Sequence, residues 1–180
     1  MKIRINSQLI SQFIQAAERS AATVKRIKRE SKELKKALLE SCQHNEVVLL
    51  ADPEAVDAEL FESFKNLPQV ITNPTDQQLA DIRIGITDTF AGVARTGSVC
   101  VSITPKLCGS ISLFSREHIA VLDAAKIVPR PRDILSEKYM GSKVSERSFT
   151  FITGPSATAD MGPLVRGVHG PGRLHIIILE

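Results

Sequence analysis

Apolar residues recur at Ile10, Phe13, Ile14, Ala17, Ala21, Val24, Ile27, Leu34 and Leu38, mostly in the steps that keep them on one helical face. Asn6 or Ser7 precedes this stripe, and a short polar side chain there satisfies the free N–H groups of a first helical turn. The pattern predicts one long helix, or two consecutive helices packed by a single stripe, as an N-terminal helical extension over residues 1–45. His44 is expected to cap its end. From residue 46 the texture changes to short runs. "EVVLLA", "QVIT", "IRIGIT", "GSVCVSI", "EHIAVLD", "AKIVPRP", "SFTFIT" and "LHIIIL" read as strands. "DPEAVDAELFESF", "NPTDQQLADI", "DTFAGVA" and "DILSEKYMGS" read as turns and helices between them. Continuous apolar strands alternating with helices predict an α/β domain over residues 46–180, with a largely parallel central sheet covered by helices on both faces.

Composition keeps this picture and narrows it. The 180 residues suffice for one domain with a sizeable core, and 43% apolar with 24% charged is ordinary for a globular chain. No apolar run is long enough to span a bilayer, and "MKIRINSQLISQF" lacks a secretory pattern, so a cytoplasmic protein away from membranes is expected. Cys42, Cys100 and Cys108 are widely spaced, without a CxxC pair. That spacing implies no disulfide framework, no zinc or iron–sulfur ligand set, and no metal or other cofactor. Cys100, within "GSVCVSI", reads as a small buried hydrophobe.

Net charge is +3, but residues 19–36 carry Arg19, Lys25, Arg26, Lys28, Arg29, Lys32, Lys35 and Lys36 against Glu30 and Glu33. On the predicted helix these bases face outward. No aromatic residues are interleaved with them, which weighs against nucleic acid and leaves a solvated face or an acidic protein partner.

Ligands of open α/β sheets settle beyond the carboxyl ends of strands. That rule directs attention to "GITDTFAGVARTGSV", "SITPKLCGSISLFSREHI" and "FITGPSATADMGP", loops rich in glycine and hydroxyl residues whose N–H groups suit an anion. In the tail, Ser156, Thr158 and Asp160 either cap a short helix after Pro155 or belong to a binding site. His169, followed by Gly170, either fixes a turn or pairs with Asp160, whose carboxylate would then tune the imidazole for proton transfer. Ser98 and Ser156 are conceivable nucleophiles. His118 and His175 fall inside apolar strands and read as core or rim residues.

"FITGPSATADMGPLVRGVHGPGRLHIIILE", with "GITDTFAGVARTGSVCVS" and "REHIAVLDAAKIV", resembles the lactate utilization protein C family, whose members carry a LUD domain. The resemblance runs over roughly residues 46–180. It implies a fold similar to ribose-5-phosphate isomerases and coenzyme A transferases. It also implies an accessory subunit, itself without a cluster, that works with iron–sulfur proteins in oxidising L-lactate to pyruvate. The alternative is an enzyme or binding protein for a small anionic ligand: a carboxylate, a sugar phosphate or an acyl-CoA. The chain departs from the family at Arg95, where an acidic residue usually precedes Thr-Gly, and at Phe90, near which the second acid is replaced by Asp88. Arg95 beside Thr96, Gly97 and Ser98 either favours an anion or points to solvent. With Gly154, Pro155, Ser156, Thr158, Asp160, His169 and Gly170, these form the expected ligand site. Asp160 and His169 are its candidate catalytic pair. The strands "IRIGIT", "GSVCVSI" and "SFTFIT" are expected to run nearly parallel at the sheet centre and bring these loops together.

Overall fold

A computed structural model describes residues 6–42, 46–103, 106–136, 148–160 and 162–180. The helices are α1 (Ser7–Arg19), α2 (Ser31–Ser41), α3 (Glu62–Lys65), α4 (Asp76–Ala80), α5 (Lys106–Phe114) and α6 (Pro131–Ile134). Strands β1 (Thr23–Ile27), β2 (Val48–Leu50), β3 (Val70–Ile71), β4 (Ile84–Asp88), β7 (Glu117–Asp123) and β12 (Arg173–Leu179) form an all-parallel sheet in the order β1-β12-β7-β4-β2-β3. A second sheet, β8-β5-β6-β9, contains β5 (Ala91–Val93), β6 (Ser98–Ser102), β8 (Ile127–Val128) and β9 (Phe149–Ile152). Strands β10 (Ala157–Thr158) and β11 (Val165–Arg166) make a small hairpin.

The parallel sheet is buried on both sides, which explains why its strands read as continuous apolar runs. Val48, Leu50, Ile84, Ile86, Ile119, Val121, Ile177 and Leu179 pack under Leu34, Leu38, Phe61 and Phe64 of the α2–α3 side. Their neighbours Leu49, Ala120, Leu122, Ile176 and Ile178 face Ile10 and Phe13 of α1, Ile111 of α5, and Val99 and Val101 of the second sheet. The period of two along each strand thus divides one run between two cores.

Five expectations are corrected. The expected helical extension is interrupted: residues 6–42 form a helix, a strand and a helix. Asn6 caps α1 by accepting from the Gln8 and Leu9 N–H groups, but Ala21 turns to φ 64° and β1 pairs along β12. Lys25 and Arg26 therefore lie on a strand, with Lys28 and Arg29 just beyond it. Arg26 pairs bidentately with Glu180 at 2.8 and 2.9 Å, Lys25 with Glu40, and Arg29 with Asp123. β-Branched Thr23, Val24 and Ile27 favour extended backbone, and β12 offers an edge to pair with. "DTFAGVA" is strand β5, whereas "KLCGSISLF", taken for a loop, is helix α5. β6 and β9 are not beside β4 at the sheet centre. They pair with each other antiparallel in the second sheet. Among the described residues no helix follows Pro155. The His44 cap and the part of "DILSEKYMGS" after residue 136 lie outside the described residues.

Candidate functional site

The tail is built around the amino ends of β7 and β12. After β9, the Ser156 N–H donates to the Pro171 carbonyl at 2.8 Å, and the Gly167 N–H donates to the Ser156 carbonyl at 2.9 Å. The Gly172 N–H donates to the Arg116 carbonyl at 2.9 Å, immediately before β12 begins. These bonds hold Pro155, Ser156, His169 and Gly170 at the amino edge of the parallel sheet, opposite the carboxyl edge where the sequence placed the ligand. Thr158 donates to the Asp160 carboxylate at 2.7 Å, a local bond within the hairpin. No hydrogen bond joins Asp160 to His169, and both are exposed. The imidazole instead borders a concavity with Phe114, Arg116 and Val168.

The two loops expected to converge do so through hydroxyls. Ser98 Oγ lies 2.6 Å from Thr96 Oγ1 and 2.7 Å from Thr153 Oγ1. Gly97 and Gly154 serve a different end. Both have positive φ, 68° and 70°. A Cβ on Gly97 would fall 2.1 Å from the Ala17 nitrogen, and one on Gly154 would fall 1.9 Å from the Ser20 oxygen. Glycine is required there because the turns press against the last turn of α1. Arg95 is exposed, and its backbone N–H is tied to the Pro129 carbonyl at 3.1 Å.

Sequence reasoning missed an arginine cluster on the same edge. Arg83, Arg116, Arg166 and Arg173 line a cavity of about 310 Å³ with Glu46 and Glu117. Arg83 pairs with Glu46 at 3.2 Å, while Arg173 and His175 reach Glu117 at 3.4 and 2.6 Å. Among the described residues, Arg116 and Arg166 have no carboxylate partner. Four guanidinium groups against two carboxylates leave the edge positive. A signal was present: "IRIGIT", "SREHIAV" and "GRLHIII" each carry an arginine at or just before a strand start. Only the strand order β12-β7-β4 makes those starts neighbours.

At the carboxyl edge a buried carboxylate holds a loop in place. Asp88 Oδ2 accepts the Glu54, Ala55 and Val56 N–H groups at 2.8, 2.5 and 2.8 Å, clamping the loop after β2. Burial pushes this carboxyl above its ordinary range, although the three N–H groups and the Lys126 ammonium pull the other way. Beside it, Ser102 Oγ is buried without a hydrogen-bond partner among the described residues. Burial raises the thiols of Cys42, Cys100 and Cys108 to about 12, so none is a ready nucleophile. His118 is fully buried, 2.9 Å from Thr87 Oγ1, and burial lowers its pKa to about 4. It is a neutral core residue.

A parallel sheet with helices on both faces, flanked by a smaller mixed sheet and carrying a basic amino edge, defines the class: an α/β protein with no helix, among the described residues, long and apolar enough to cross a membrane. Within that class the chain belongs to the LUD domain family, which it matches over residues 10–179. Among curated relatives, Lactate utilization protein C of Bacillus licheniformis is 32% identical over 108 residues, 58% of this chain and 45% of that protein. Its counterpart in Halalkalibacterium halodurans is 35% identical over 101 residues, 54% of this chain and 44% of that protein. The chain thus matches less than half the length of these relatives. A DUF162 family protein of Deinococcus radiodurans has the same fold, with a TM-score of 0.70 at 18% identity, covering 97% of this chain and 98% of that one.

Proposed function

We propose that this protein serves lactate utilization as an accessory subunit, without a cluster of its own, beside iron–sulfur proteins that oxidise L-lactate to pyruvate. The observation that carries the reading is its 32–35% identity to proteins named Lactate utilization protein C. Deleting the gene should abolish growth on L-lactate as sole carbon source while sparing growth on pyruvate, and a plasmid copy should restore it. Unchanged growth of the deletion strain on lactate would overturn the reading.

One arrangement favours a second reading, a binding protein or enzyme for a small carboxylate or phosphate. The linked hydroxyls of Thr96, Ser98 and Thr153 adjoin exposed Arg95. On that reading, calorimetry with L-lactate, pyruvate and inorganic phosphate detects binding that Arg95→Ala removes. Heats equal to dilution for all three would end it.

A further inference from the structure

Arg116 borders two concavities. One is the arginine-lined cavity; the other is walled by Leu113, Phe114, Val168 and His169. Leu113 and Phe114 also wall a third groove, more apolar, that reaches Ile103 and Ile152. Shared residues join the three into one strip that runs from the arginine cavity at the amino edge past Phe114 and along α5 to Ile103, positive at its first end and apolar at the other. Phe114 is 60% exposed, Val168 53% and Leu113 51%, whereas Phe13, Phe61 and Phe64 are fully buried and Phe151 is 39% exposed. An exposed phenylalanine with apolar neighbours, beside two arginines that lack a carboxylate partner among the described residues, is the composition that interface centres favour.

We propose that this strip docks a segment of another protein that presents carboxylates to Arg116 and Arg166 and apolar side chains to Leu113, Phe114 and Val168. The charge balance selects the partner's sign, because the two carboxylates that line the arginine cavity among the described residues are already engaged by Arg83, Arg173 and His175. A second copy is a poor occupant. A twofold interface through this strip would set the arginine end of one copy against the apolar end of the other, leaving the guanidinium groups without carboxylates. A small ligand is also a poor one, since its pocket should enclose most of its surface. Here the side chains of Arg83 and Arg173 are 64% and 69% exposed. The inference rests on the accessory reading only for the partner's identity, and its test does not involve lactate.

The full chain is used to select binders from a random peptide library displayed on phage, with synthetic copies measured by fluorescence anisotropy. Recovered peptides should combine Asp or Glu with Leu or Phe and bind more weakly as salt rises. Arg116→Glu with Arg166→Glu, and separately Phe114→Ser, should each weaken binding by about tenfold or more. All three residues are exposed, so the variants should keep the wild-type circular dichroism spectrum. Recovery of no peptide, peptides without acidic residues, or binding indifferent to both variants would overturn the proposal. So would displacement of the peptides by inorganic pyrophosphate or by duplex DNA at lower concentration than by the peptides themselves. A wild-type dimer that Phe114→Ser converts to a monomer in light scattering would assign the strip to self-association instead.

Discussion

His118 shows how burial alone redefines a residue. Its ring sits at 0% exposure on β7, bonded through Nε2 to Thr87, with Nδ1 lacking a partner among the described residues. Its pKa falls from 6.5 to about 4 because desolvation penalises the imidazolium. Between those values the unfolded chain binds a proton that the folded chain lacks. The stability due to neutral His118 is therefore complete above about 6.5 and is lost as pH falls toward about 4. Urea unfolding should register a loss of roughly 1.4 kcal/mol per pH unit from this group across the window. His118→Gln should remove that slope, whatever its cost at neutral pH. An identical pH dependence in wild type and variant would refute the assignment. His169, by contrast, is exposed beside Arg116 and Phe114. One residue type thus has a core role and a surface role in the same chain.

At the scale of elements, the contact that organises the amino edge is between α1 and two glycine turns. Thr96–Gly97–Ser98 closes the β5–β6 hairpin, Thr153–Gly154 leaves β9, and both abut Ala16, Ala17 and Ser20 of α1. Gly97→Ala and Gly154→Ala should each cost roughly 2–5 kcal/mol, combining left-handed backbone strain with overpacking. Urea midpoints read this directly. A cost below about 1 kcal/mol would mean the turns can back away from the helix. These glycines were legible in the sequence as special. Their purpose was not, because the turn alone cannot reveal what it leans on.

For the whole molecule, the consequence of β1 is that residues 6–42 belong to the same packed body as the rest. α1 supplies Ile10 and Phe13 to one core, α2 supplies Leu34 and Leu38 to the other, and β1 covers one edge of β12. Residues 46–180 produced alone should therefore expose both cores and a bare sheet edge, and aggregate rather than unfold cooperatively. A monodisperse fragment with a sharp thermal transition would instead support the separate domain expected from the sequence.

The sequence by itself determined the α/β class, the parallel strands and the family. Those properties live in local runs: apolar strands of the right length, turn residues between them, and the "GPSATAD" and "GVHGPG" motifs. β1 was misread because its apolar residues also fit a helical stripe, and neither period excludes the other over a short span. Only tertiary pairing with β12 decided it. The candidate site followed the same division. The sequence marked Ser98, Ser156 and His169 as unusual, but the chain's path sent the tail to the amino edge. There, parallel pairing of β12, β7 and β4 gathers arginines from positions 83, 116 and 173, with Arg166 joining from the hairpin. A cluster drawn from distant segments has no signature along the chain, because its spacing is fixed by strand order.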